Sequence, residues 1–107
     1  MSHRQEKVEG MLQGIVASYL SKEAGTKSVI TVTHCDVTPD LKKVTAFISV
    51  FPTEHELEAL NFARRQRSEI RELFKEKLSM KSIPHLEIEI DEGEKNRQKV
   101  EAIFNNL

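Results

Sequence analysis

The chain has one cysteine in 107 residues and no long apolar run. A lone cysteine, Cys35, closes no internal disulfide and builds no metal framework by itself. It falls in a strand-like stretch, where a small buried hydrophobe is its expected role. No apolar stretch approaches the roughly 20 residues needed to cross a bilayer. The opening Met-Ser-His-Arg-Gln-Glu-Lys lacks the apolar centre of a signal peptide, so the cytoplasm is the expected address. There is no internal repeat and no low-complexity linker. A dinucleotide fingerprint, a P-loop and a nucleophile elbow are all missing. The carboxylates fall mostly on exposed helix faces, with no paired acid and base. An enzymatic reading therefore has little support, and no cofactor is expected. The histidines, His3, His34, His55 and His85, fall on four different elements without ligand spacing. His55-Glu56 begins like HExxH, but Ala59 stands where the second histidine belongs. All four are expected at or near the surface, and no metal site is expected. A surplus of positive charge is missing too: the net charge is −1. That argues against a uniformly basic nucleic-acid binder, although a local basic patch remains open.

What is present is an ordinary globular composition, 38% apolar and 31% charged, of a length that suits one domain. The most informative stretch is ITVTHCDVTPDLKKVTAFISVF, residues 30–51. It reads as two strands, near 28–37 and 43–51, joined by Thr-Pro-Asp-Leu-Lys-Lys. Pro39 presets φ, and Asp40 can bond its own backbone. In the second strand Val44, Ala46, Ile48 and Val50 share one face and Thr45, Phe47 and Ser49 the other. The first strand breaks parity: Ile30 and Val32 face one way, Cys35 and Val37 the other. Either both faces are partly covered, or a bulge shifts the register.

Helical patterns flank this hairpin. The first begins near Ser2, where Ser2 and Gln5 fit a capping box. Its apolar residues are Val8, Met11, Leu12, Ile15, Tyr19 and Leu20, and Gly25 is a plausible stop. The second starts after Pro52 with Thr53 and Glu56 as a capping box and runs to about Ser82. Leu57 and Leu60 mark one stripe; Ile70, Leu73, Phe74 and Leu78 mark another, about a quarter turn out of phase. A kink within 64–69 would let both halves face one core. Pro84 is expected to end the helix. Leu86, Ile88 and Ile90 alternate with Glu87 and Glu89 as a third strand. Asp91 and Glu94 could cap a last helix, whose apolar stripe is Val100, Ile103, Phe104 and Leu107. The order is α-β-β-α-kink-α-β-α, an α+β two-layer domain with helices on one face of a three-stranded sheet. Its core spans about 3–91 and the C-terminal helix about 94–106.

Basic residues crowd the second helical region: Arg64, Arg65, Arg67, Arg71, Lys75, Lys77 and Lys81. Such side chains suit phosphates, releasing counterions and fixing position without reading sequence. The start of the second half-helix, near Ser68, adds backbone N–H groups that can hold a phosphate. The plainer alternative is a solvated face with Glu–Lys pairs, from Glu72 and Glu76 to Lys75 and Lys77. For Arg64 to Ser68, with few acidic neighbours in sequence, phosphate contact is preferred. Thr45, Phe47 and Ser49 could offer bases a stacking platform, but a covering helix is the preferred reading.

Several strings resemble the ribosome-binding factor A family of bacteria. They are Ile30-Thr31-Val32-Thr33, Val37-Thr38-Pro39-Asp40-Leu41, Ala46-Phe47-Ile48-Ser49-Val50, Leu60-Asn61, Ile70-Arg71, and Lys81-Ser82-Ile83-Pro84-His85-Leu86-Glu87-Ile88 with Asp91. The resemblance covers nearly the whole chain. It implies a type II KH-like domain, α-β-β-α-kink-α-β. It also implies a non-catalytic factor that binds the small (30S) ribosomal subunit and its 16S rRNA during late maturation, with a link to growth in the cold. It implies no small-molecule substrate and no membrane partner; a monomer is expected when free. The RNA-binding set it suggests is Arg64, Arg65, Arg67, Ser68, Arg71, Lys75, Lys42, Lys43 and Arg4; Arg4 and Lys7 could equally be plain surface residues. The family's Ala-x-Gly kink aligns with Gln66-Arg67-Ser68. A glycine's freedom at positive φ is lost there, while serine can cap a following helix. Two rivals stand beside this reading: a protein–protein module using the same layers, and a ferredoxin-like small-ligand or metal-sensing domain.

Overall fold

A computed structural model describes residues 3–23, 28–80 and 82–105. The elements are α1 (His3–Glu23), β1 (Val29–Val37), β2 (Lys43–Phe51), a 3₁₀ turn (Thr53–His55), α2 (Glu56–Arg65), α3 (Arg67–Lys77), β3 (His85–Ile90) and α4 (Glu92–Asn105). The sheet order is β1-β2-β3. β1 and β2 form an antiparallel hairpin, and β3 returns parallel to β2 after the α2–α3 crossover. Parallel strands need such a crossover connection. This is the expected α+β order, with α1, α2 and α3 on one face of the sheet.

The alternation of β2 is realised fully: Val44, Ala46, Ile48 and Val50 are buried while Thr45, Phe47 and Ser49 are half-exposed. The parity break in β1 is a bulge. Pairing shifts between Val32 and His34, so Thr33 is the extra residue and Cys35 and Val37 return to the core face. Cys35 is buried, and desolvation, with Asp36 and Glu9 adding, pushes its thiol up to about 12. The hairpin turn follows its residues' chemistry. Asp40 Oδ1 accepts hydrogen bonds from the Thr38 hydroxyl (2.6 Å) and the Lys42 N–H (3.0 Å). Leu41 takes the left-handed conformation at φ 61°.

Helices α1 and α3 supply the largest apolar groups. Leu12, Val16 and Leu20 lie one turn apart and are fully buried, as are Ile70 and Phe74. On α2 the expected stripe is corrected. Leu57 is 71% exposed and Leu60 half-buried, whereas Ala59 and Ala63 face the core. Two alanines at i and i+4 bring this helix close to the sheet, which a leucine stripe would hold off. The Thr53 capping box is not formed; no side chain caps this helix start. The chain leaves β2 through the 3₁₀ turn, with the His55 N–H on the Pro52 carbonyl, so Thr53 already lies inside helical geometry. The second helical region also ends earlier than expected, at Lys77. Leu78 turns extended (φ −121°, ψ 135°) and is itself buried, so its burial, not Pro84, ends the helix. Ser2, Gly25, Lys81 and Leu107 lie outside the described residues.

At the far end Asp91 caps α4 as expected: its Oδ1 accepts the Glu94 N–H at 2.9 Å. Its Oδ2 takes the hydroxyl of the bulge residue Thr33 at 2.5 Å, tying α4 to β1. These bonds, with His34 nearby, hold the Asp91 carboxyl below its usual range. Lys95 pairs with Glu56 at 2.9 Å. Beyond this root the stripe of α4 has no cover among the described residues: Val100, Ile103 and Phe104 are 51%, 62% and 69% exposed.

Candidate nucleic-acid interface

The break between α2 and α3 falls at Gln66, inside the expected window. Its backbone is φ −91°, ψ 3°, so the kink needs no positive φ and no glycine. The Gln66 N–H turns to the Ala63 carbonyl, three residues back, and α-type bonding resumes with the Ile70 N–H on the Gln66 carbonyl. Ser68 does not cap the second helix; it lies one residue inside α3. A contact from another element reaches the kink. The Tyr19 hydroxyl of α1 donates to Gln66 Oε1 at 2.8 Å.

Three arginines of this region turn toward β3, one of the two edge strands, or the corner just before it. Arg64 Nε donates to the Ile88 carbonyl at 3.1 Å, and its Nη2 reaches Glu89 at 3.2 Å. Arg67 Nε caps the Arg64 carbonyl at 3.0 Å, with its Nη1 3.6 Å from Glu87. Arg71 Nε and Nη2 hold the carbonyls of Pro84 and Ile83 at 3.1 and 3.3 Å. The pairing pattern points the Ile88 carbonyl away from β2, so Arg64 covers part of the open edge. The expectation of few acidic partners is therefore corrected for Arg64 and Arg67: their partners lie on β3, far along the chain. Glu87 is held below the usual carboxylate range chiefly by the His85 hydrogen bond, with Arg67 and Lys43 adding.

The other predicted residues differ. Arg65, Lys75, Lys42, Lys43 and Arg4 are exposed and have no ion pair among the described residues. The Glu72 and Glu76 pairs to Lys75 and Lys77, the alternative reading, do not form. Arg71 bonds only carbonyl oxygens among the described residues, not a carboxylate. The fold gathers several of these groups at one end of the sheet. The His85 N–H bonds to the Lys42 carbonyl, and Lys43 pairs with His85 across the strands. Both lysines thus sit beside the 83–84 corner that Arg71 holds. Gln5, next to Arg4, donates to the Val37 carbonyl at 2.7 Å, placing the start of α1 by the same hairpin end. Ser68, Arg71 and Lys75 line one shallow cleft with Glu72 and Ile83.

On the opposite sheet face Phe47 is half-exposed, and what stacks on it is the His34 ring, 4.4 Å away at 15°. The expected covering helix is not its partner, since α1–α3 pack on the other face. His34 and His85 are exposed and His55 half-buried, as expected; His3 side-chain placement lies outside what is described. Among the described residues no helix is long and apolar enough to cross a membrane.

Comparison with known proteins converges on one family. Ribosome-binding factor A of Christiangramia forsetii is 29% identical over 98 residues, covering 86% of this chain and 75% of that protein. The crystal structure of ribosome-binding factor A from Thermus thermophilus superposes with a TM-score of 0.72 at 17% identity, over 80% of this chain and 93% of that one. Coordinates of the Thermus thermophilus factor fitted into a cryo-EM map of a 30S complex give 0.64 at 18% identity, over 76% and 88%. At these identities the structures speak for the fold. The family model for ribosome-binding factor A matches residues 4–104, and so the chain belongs to the ribosome-binding factor A family.

Proposed function

We propose that this protein binds the small ribosomal subunit and its 16S rRNA during late maturation, as a non-catalytic assembly factor of the cytoplasm that is monomeric when free. The observation that carries the reading is the set of unpaired cations on a chain of this family. Arg65, Arg71, Lys75, Lys42 and Lys43 form no ion pair among the described residues, and all lie on the kinked helix pair or the adjoining sheet end. A relative of the same fold has been fitted into a 30S complex. Phosphate contacts of this kind position a protein on RNA through shape and charge. Ser68 adds a hydroxyl to the cleft, and Arg4 extends the cationic end along α1. Arg64 and Arg67 keep spare N–H groups but have their charge offset by Glu89 and Glu87. Docking on rRNA phosphates would hold an immature conformation until later steps release the protein.

Co-sedimentation with mature and immature small subunits, at low and high salt, tests this. Binding to the small subunit that weakens steeply as salt rises is the expected result. Absence of binding at any salt would overturn it. A protein contact is the competing reading, favoured by the uncovered Val100, Ile103 and Phe104 of α4. Such an apolar contact would persist at high salt, so the same experiment separates the two.

A further inference from the structure

The cleft on α3 holds more than cations. Its lining is Ser68, Arg71, Glu72, Lys75 and Ile83, and its volume is about 190 Å³. Ser68, Arg71, Glu72 and Lys75 stand at i, i+3, i+4 and i+7, on one helix face. Ile83 belongs to the connection before β3 and forms the opposite wall. Arg71 is aimed rather than free: two of its nitrogens are fixed on the carbonyls of Ile83 and Pro84, and its remaining N–H groups stay available. Lys75 is exposed with no ion pair among the described residues, and the same is true of Glu72. The side chains are therefore not spent on one another.

A cleft built for a bare phosphate would gain nothing from a carboxylate in its wall. Glu72 accepts hydrogen bonds and donates none. Beside two cations and a hydroxyl, it fits a ligand carrying a hydrogen-bond donor next to an anion. In RNA the 2′-hydroxyl adjoins the 3′-phosphate, and in DNA the hydroxyl is missing. We propose that this cleft takes one ribose-phosphate unit of an RNA strand. The phosphate lies on Arg71, Lys75 and Ser68, the 2′-hydroxyl donates to Glu72, and the sugar rests on Ile83. The volume suits a sugar-phosphate and leaves the base outside, so the cleft selects RNA over DNA without reading sequence. The inference rests on the RNA-binding reading above and adds a residue, Glu72, whose charge alone would argue against it.

The test compares oligouridylate with oligodeoxyuridylate, which differ only in the 2′-hydroxyl, by fluorescence anisotropy at one salt concentration. The intact chain is expected to prefer the ribo strand by about three- to tenfold, the range of one ordinary net hydrogen bond at an exposed site. Glu72→Ala should bring that ratio toward one, even if it raises both affinities by removing a negative charge. Glu72→Gln, which keeps a neutral acceptor, should retain part of it. Lys75→Ala should weaken both strands while leaving the ratio in place. Glu69→Ala, an exposed change on α3 outside the cleft, should alter neither ratio nor order. A ratio of one in the intact chain, or an unchanged ratio in Glu72→Ala, would overturn the proposal. Salt-sensitive binding to the small subunit would then still support the broader reading, whereas its loss would count against that reading directly.

Discussion

Two sets of cations lie on the same kinked helix pair and differ in what they face. Arg64 and Arg67 turn inward to Glu89, Glu87 and backbone carbonyls, closing the edge of β3. Arg65, Arg71 and Lys75 form no ion pair among the described residues, and neither do Lys42 and Lys43 at the sheet end. Charge counted along the sequence treats the two sets alike. The fold assigns one largely to holding β3 against the helices and leaves the other's charge free for a polyanion.

The largest effect should come from removing the support behind both sets. Phe74 is fully buried on α3, and Phe74→Ala is expected to cost about 3–5 kcal/mol in urea unfolding. Subunit binding should be lost with the fold, without distinction between the sets. Arg64→Ala should be milder, about 1 kcal/mol, because a carbonyl bond and a half-exposed ion pair go together. Tyr19→Phe removes the hydroxyl that holds Gln66 and should cost about 1 kcal/mol at most. Its informative readout is amide exchange at residues 64–68, which should quicken; unchanged exchange would mean the kink stands without α1. Arg65→Ala should change stability by less than about 0.5 kcal/mol, as exposed substitutions usually do. A stability loss equal to that of Arg64→Ala would erase the distinction.

Acid sharpens the contrast from another side. The folded Asp91 carboxyl lies below its unfolded value because Thr33 and the Glu94 N–H bond its ionised form. Its contribution is therefore complete above the ordinary aspartate range and fades as pH falls through the lower, folded value. Acid titration followed by circular dichroism should show α4 loosening at the acid end, and Asp91→Asn should flatten that dependence. Glu87, beside His85 and Arg67, and Asp40, in the hairpin turn, are held low as well, so the difference between the intact chain and Asp91→Asn, not the whole acid transition, reports the root of α4.

Much of the fold is legible in the chain because period-2 alternation admits few readings. β2 and β3 could be placed from Val44 to Val50 and Leu86 to Ile90, and the lost parity of β1 left two readings, of which the bulge, at Thr33, is the one the fold adopts. The phase slip between the helical stripes located the kink to within the window that contains Gln66. Other features were hidden for identifiable reasons. Alanine suits an exposed helix as well as a close-packed one, so Ala59 and Ala63 gave no signal beside Leu57. The partners of Arg64 and Arg67 lie across a helix and a loop, beyond any local pattern. Tyr19 looked like one member of an apolar stripe, and its hydroxyl's role depends on where Gln66 comes to rest. At the candidate site, residue types were legible, but which charges remain unpaired was not.

The most direct test is the salt dependence of small-subunit binding for Arg65→Ala and Lys75→Ala beside Arg64→Ala, read by co-sedimentation. Each removed phosphate contact should lower the slope of log affinity against log salt by about one. The account predicts weaker binding and a shallower slope for Arg65→Ala and Lys75→Ala, and a nearly unchanged slope for Arg64→Ala. A slope lost with Arg64→Ala and kept in the other two would contradict it.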